Sequence, residues 1–336
     1  MWATHSCFGG KQATLRFCAA WILCSGGILN SAETIQYHGY SHAIELKNKD
    51  VRVVLCPEVG GRVLEYSFRG NNVLHLSDQE KHWKPGDKPQ SSAGRFDIGP
   101  EFVVPRREIL WSGQWQAEVT GELSATLTSQ PDPATGVQLI RDFRLHKKST
   151  LLECRQTIVN VSQQTREWCH WSRTFVVGKG ICVIPLTEQG QLPHSRFPSK
   201  YVMYEDRGVI NAQPEDPNIR LRENALEIHP TPRKPKLGFD SYAGEIIYLA
   251  PNDLMFLKRF KTYPDRVYNE AAGLTISVWY PDREMVELEP IGPRESLAPG
   301  ESASFTEEWW LAPFSFPTNG DAVDHVRVKQ TSNSLR

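Results

Sequence analysis

Short apolar stretches alternating with polar residues recur along almost the whole chain, at 43–46, 51–56, 63–68, 117–120, 125–129, 137–145, 151–160, 167–177, 181–184, 225–228, 245–249, 254–260, 274–280, 285–288 and 302–311. They are rich in Val, Ile, Thr, Phe, Tyr and Trp, and Gly, Pro, Asn and Asp separate them. A period of two puts the apolar side chains of a strand on one face, whereas the sustained 3.6-residue patterns of amphipathic helices are absent. The pattern predicts an all-β fold built as a large antiparallel sandwich, with few and short helices. The stretches 81–92 and 190–222, rich in Pro, Asp and Ser, read as long loops over the sheet rims. No repeat or linker interrupts the series, so residues 33–313 are expected to form one domain. Beyond Pro313 the chain turns polar, and 314–336 is expected to be a frayed tail.

Residues 1–32 stand apart from this pattern. They carry Lys11 and Arg16, no acidic residue, an apolar run from Phe17 to Leu29, and then the small pair Ser31-Ala32. That is the layout of a secretory signal peptide cleaved after Ala32, and it predicts an exported, periplasmic or secreted protein. The run is shorter than the ~20 apolar residues a bilayer span needs and contains two glycines, so no membrane span is expected after its removal. With 38 basic against 39 acidic residues the chain lacks the basic field that draws nucleic acid, and no nucleic-acid partner is expected. Three of the seven cysteines leave with the leader. Cys56, Cys154, Cys169 and Cys182 remain, which permits two disulfides in any of three pairings or four buried thiols. None has zinc-like spacing with another Cys or a His, so no metal is expected.

Alternation assigns candidate chemistry to faces. In Glu167–Phe175 it puts Trp168, His170, Ser172 and Thr174 on one side and Cys169, Trp171, Arg173 and Phe175 on the other. An imidazole beside an indole and hydroxyls suits a sugar, whose apolar ring faces stack on aromatics while polar groups bind its hydroxyls. A histidine satisfied by its neighbours in a wide sheet fits the same pattern. In Glu284–Pro290, Val286 and Leu288 point one way, and Glu287 and Glu289 the other. Two carboxylates ~7 Å apart on an enclosed face raise each other's pKa and suit a general base. A solvated strand face would show the same spacing.

Glu289-Pro followed by Leu297-Ala-Pro-Gly-Glu301 and the strand 302–311 resembles the C-terminal signature of the galactose mutarotase (aldose 1-epimerase) superfamily. Gly60-Gly61-Arg62, Ala93-Gly-Arg-Phe96, Ile158-Val-Asn160 with His170 ten residues on, and Leu237-Gly-Phe-Asp240 fall in the matching order. The details of Asp97-Ile-Gly-Pro100, Glu287-Leu-Glu-Pro290 and Glu308-Trp-Trp-Leu311 look closer to an uncharacterised mutarotase-like family of exported bacterial proteins, a domain of unknown function. The resemblance implies a β-supersandwich with Glu289 as base and His170 as acid. It further implies Arg95 and Asp240 on sugar hydroxyls, with Trp168, Arg173, Glu287 and Lys236 as further substrate contacts. It implies a carbohydrate partner and no cofactor. The family's second histidine is missing, because the region that would carry it reads Glu108-Ile-Leu-Trp-Ser-Gly-Gln-Trp115. Trp111 and Trp115 are therefore either stacking platforms or core aromatics. Three functions stay open: a mutarotase-type enzyme, a noncatalytic carbohydrate-binding module, and a glycan lyase or hydrolase on the same scaffold.

Overall fold

The computed structural model describes residues 31–335 except 89, 189, 207, 282–283 and 318–321. The chain runs β1 (Ser31–Tyr37), β2 (Tyr40–Lys47), β3 (Val51–Cys56), β4 (Arg62–Phe68), β5 (Asn71–Asn72), α1 (Asp78–Lys81), β6 (Gly94–Gly99) and α2 (Glu108–Trp111). Next come β7 (Gln116–Gly121), β8 (Ser124–Thr128), β9 (Val137–Leu145), β10 (Leu152–Asn160), β11 (Arg166–Val177) and β12 (Ile181–Pro185). Then follow β13 (Val202–Asp206), β14 (Val209–Asn211), β15 (Ile219–Arg222), β16 (Ala225–Ile228), β17 (Lys236–Phe239) and β18 (Glu245–Ala250). The last are β19 (Leu254–Phe260), β20 (Ile276–Trp279), β21 (Met285–Leu297), β22 (Ser302–Pro313) and α3 (His325–Ser334). Most of the leader expected at 1–32 lies outside the described residues; its last two, Ser31 and Ala32, open β1 and pair with Lys47 and Leu46.

Among the described residues these strands form two antiparallel sheets. The first has twelve strands in the order β1-β2-β3-β4-β6-β11-β21-β20-β17-β13-β14, with β5 on β4. The second has ten, β15-β16-β12-β18-β19-β22-β10-β9-β8-β7. Their inner faces make one core, in which Tyr66, Phe96 and Ile98 of the first sheet meet Phe143, Phe256, Trp309 and Leu311 of the second. β9 shows the cause most plainly. Val137, Leu139, Phe143 and Leu145 face inward while Gln138, Ile140, Asp142 and Arg144 face out. Arg141 shares the inner face and is buried, donating to the carbonyls of Gly60 and Gly61 at 2.6 Å each. Both glycines have positive φ, and a Cβ on Gly61 would lie 2.7 Å from the Trp115 ring, so this turn requires glycine.

β11 and β21 are buried on both faces, so their alternation does not show in burial. The segments after β6, before β13 and between β19 and β20 cover the outer face, where Phe197, Tyr204 and Leu274 pack on Cys169, Trp171 and Ile291. The stretch 190–222, expected to be loop, contains three short strands at the sheet edges. The tail at 314–336 is not frayed throughout, since α3 docks with Val328 buried. The four remaining cysteines are buried free thiols. No helix among the described residues is long and apolar enough to cross a membrane.

Candidate functional site

The outer face of the twelve-stranded sheet gathers its charges where β6, β11, β21, β20 and β17 lie side by side. Register sets the rows. Arg95 on β6 faces Arg173 on β11, Arg173 neighbours Glu289 on β21, and Glu289 faces Ser277 on β20. In the adjacent row Phe175, Glu287, Trp279 and Lys236 follow one another across four strands. Glu287 and Glu289 are both fully buried. The Arg173 guanidinium donates to Glu287 at 2.6 and 3.3 Å and lies against the rings of Trp171 and Trp111, 4.5 and 4.8 Å from their centres.

Glu289 accepts three hydrogen bonds from two donors. Lys236 Nζ lies 2.7 Å from both of its oxygens, and Trp171 Nε1 donates to Oε2 at 2.7 Å. Burial, and then the neighbouring Glu287, push its pKa up to about 8 against the pull of Lys236. Burial works against the Lys236 charge as well, yet Glu289, Glu101 and Glu287 together lift its pKa above the ordinary value. Glu101, on the segment after β6, reaches Lys236 from the far side at 3.2 Å. Its backbone N–H donates to Glu270 at 2.7 Å, and Tyr204 donates to the other Glu270 oxygen at 3.2 Å. Burial also raises the Glu270 pKa. Asp97, one step along β6 from Arg95, binds Arg107 through two hydrogen bonds. The result is a buried cluster of paired charges, the charged chamber, covered by the segments that carry Glu101 and Glu270 and edged by the partly exposed indoles of Trp111 and Trp279. Such a cluster can hold a proton on a carboxylate near neutral pH and offer flat apolar surfaces to a ring.

His170 is not in this chamber. It points between the sheets, where its Nε2 donates to the Ala303 carbonyl of β22 at 3.2 Å and its ring stacks on Phe305 at 5.7 Å. Burial lowers its pKa to about 4, so the imidazole is neutral at pH 7. The expectation that His170 and Glu289 flank one sugar is therefore corrected: they leave the sheet on opposite faces, and an imidazole held neutral carries no spare proton. Trp168 shares the inner face, donating to the Thr135 carbonyl at 3.2 Å, and is a core aromatic. Trp115 is in the core too, under the Arg141 guanidinium at 4.1 Å.

The other expected residues lie on the outer face. Glu289, Glu287, Arg173 and Lys236 meet directly. Arg95 adjoins them at the Trp111 edge, its guanidinium 4.2 Å from that ring. Asp240 continues the Lys236 face roughly 13 Å along, where Oδ2 accepts from the Arg196 backbone at 2.8 Å and Oδ1 has no partner. Sequence reasoning missed Trp171, Trp279, Glu101, Tyr204, Glu270 and the Asp97–Arg107 pair as site residues. Alternation carried a signal for Trp171, which must share a face with Arg173. The loop-borne Glu101 and Glu270 have no periodicity to reveal them.

No family model and no curated protein matches the sequence. Solved structures do match. A galactose mutarotase-like protein from Lactobacillus casei superposes with a TM-score of 0.57 at 10% identity, over 80% of this chain and 100% of that one. Another from Clostridium acetobutylicum gives 0.57 at 11% identity, over 85% and 99%. A Synechocystis protein gives 0.56 at 13%, over 84% and 99%. The fold is galactose mutarotase-like. Within this galactose mutarotase-like scaffold, the charged chamber occupies the outer face of the larger sheet, and the broad groove of about 1240 Å³ lies elsewhere, on the second sheet beside the end of α3. That groove is lined by Glu245, Arg259, Lys261 and Glu308, whereas the outer-face cluster holds the carboxylate with the strongly raised pKa.

Proposed function

We propose that this chain is an exported carbohydrate-binding protein, akin to the uncharacterised mutarotase-like family its motifs resemble, whose outer-face chamber receives one sugar. Glu289 acts there as the base that takes the anomeric proton. The observation that carries this reading is the burial of Glu289 at the junction of Lys236, Trp171 and Glu287, with its pKa near 8. A carboxylate so tuned accepts a proton from a hydroxyl more readily than an exposed one. Trp111 and Trp279 offer ring-stacking surfaces at the edge.

The position of His170 favours a second reading, binding without catalysis, because the acid of the expected pair is absent from the chamber. One experiment separates the two: NMR exchange between the α and β anomers of a panel of aldoses and uronic acids, with wild type, Glu289→Gln and His170→Gln side by side. Catalysis is supported by acceleration that vanishes in Glu289→Gln and persists in His170→Gln. Saturation transfer to a sugar without faster exchange would leave a binding protein. The absence of both would remove the carbohydrate reading.

A further inference from the structure

Charge pairing in the chamber leaves one cation over. Asp97 serves Arg107, Glu287 serves Arg173, and Glu289 with Glu101 serves Lys236. Among the described residues no carboxylate lies within ion-pair distance of Arg95, although its side chain is fully buried. Its terminal nitrogens donate only to the carbonyls of Trp111 at 2.8 Å and Gln90 at 3.1 Å, and its Nε has no acceptor. Glu80, the nearest acid on that side, is fully engaged by Arg62 at 2.6 and 2.8 Å. A buried guanidinium with an unsatisfied N–H is costly, and Arg95 also stands directly opposite another arginine, Arg173, on the same face. Both guanidiniums rest on the same indole, that of Trp111. Trp111 in turn lines a cavity of about 520 Å³, whose walls carry Lys88 and Arg106 together with Glu58, Asp87 and Glu108.

We infer that the ligand is a sugar acid, whose carboxylate sits at Trp111 between Arg95 and Arg173 and supplies the acceptor that Arg95 Nε lacks. This rests on the carbohydrate reading above and narrows it to a substrate class. A planar carboxylate matches guanidinium donors. A single negative charge also suits a place whose neighbours are Glu289 in the same row and Glu287 in the adjacent one, which would repel a phosphate dianion more strongly.

The test is calorimetric titration of the full chain at low ionic strength with D-galacturonate, D-glucuronate, D-galactose, D-glucose and D-glucose 6-phosphate. At least one uronate should bind tenfold or more tightly than its parent aldose, with the preference shrinking as NaCl is raised and disappearing in Arg95→Gln. Wild-type ratios decide the matter even if Arg95→Gln fails to fold. Equal or tighter binding of the neutral aldose overturns the sugar-acid assignment and leaves the carbohydrate reading standing. Tighter binding of the 6-phosphate overturns the carboxylate in favour of another anion. Binding of none of the five overturns both the assignment and the reading it rests on.

Discussion

Glu289 and His170 respond to burial in opposite senses, and each leaves its own mark on pH dependence. Burial holds the Glu289 proton on, with a folded pKa of about 8 against an ordinary 4.5. The base form therefore appears only as pH rises, and catalysed anomer exchange should climb with a midpoint near 8. Glu289→Gln should lower it by roughly 100-fold or more. The native state keeps a proton that the unfolded chain gives up, so Glu289 costs stability progressively from pH 4.5 to about 8. For His170 the folded pKa of about 4 lies below the ordinary 6.5, so stability is lost as pH falls between those values, by roughly 3 kcal/mol in all. Urea titrations across pH 4 to 8 should show the acid loss flattened in His170→Gln and the alkaline loss flattened in Glu289→Gln. His170→Gln should leave exchange intact. The alternation of 167–175 sorted its residues into faces correctly, but it could not say which face met the ligand. It did hold a warning: Trp168 and Arg173 lie on opposite sides of one strand, and a single ligand cannot touch both.

The central strands carry polar chemistry on both faces, which is why the elements were easier to read than the site. Beneath the chamber, Lys258 of β19 reaches across the core to β11. It donates to the hydroxyls of Ser172 and Thr174 at 2.8 and 2.9 Å, and it pairs with Glu307 of β22 at 3.0 Å. Trp309 Nε1, the Ser172 hydroxyl and Gln156 Nε2 also donate to Glu307. Both ions are fully buried, and burial pulls the Lys258 pKa down. Removing one partner strands the other, so Lys258→Met should destabilise by about 3–5 kcal/mol. Lys258→Met combined with Glu307→Gln should recover much of that loss in urea unfolding. If the single variant costs nothing, the pair does not hold the two sheets in place. Lys258 shares the inner face of Leu254–Phe260 with Leu254, Phe256 and Phe260, and only the register between the sheets reveals what it meets. The loops over the chamber were harder still, because Glu101 and Glu270 reach the site by chain path and not by strand pattern.

At the scale of the whole molecule, the two outer faces do different work. The larger sheet turns its outer face to the charged chamber, whereas the second sheet presents an apolar one: Val183, Ile247, Leu249, Met255, Leu257 and Trp310. An uncovered patch of that kind invites association, and the C-terminal segment covers it, with Val323 and Val328 buried against it. Polar clips hold both ends of α3. His325 Nε2 lies 2.7 Å from Glu227, and Arg259 donates to the carbonyls of Ser332 and Leu335 at 2.6 Å each. The sequence concealed this helix because its apolar stripe is narrow: Val328 is buried while Val326 is 62% exposed, too little for a 3.6-residue pattern to register. Deleting residues 322–336 should lower stability by roughly 3–6 kcal/mol, the worth of two buried valines with their surroundings at about 1.5–3 kcal/mol each. It should also promote self-association, seen as a concentration-dependent mass in sedimentation. Sugar affinity should stay within about twofold of the full chain, because the chamber is separated from α3 by the full thickness of both sheets, ~10 Å between their backbones. A large loss of affinity with an unchanged unfolding midpoint would mean that the tail belongs to the ligand site, and the groove beside α3 would then replace the chamber as the place to look.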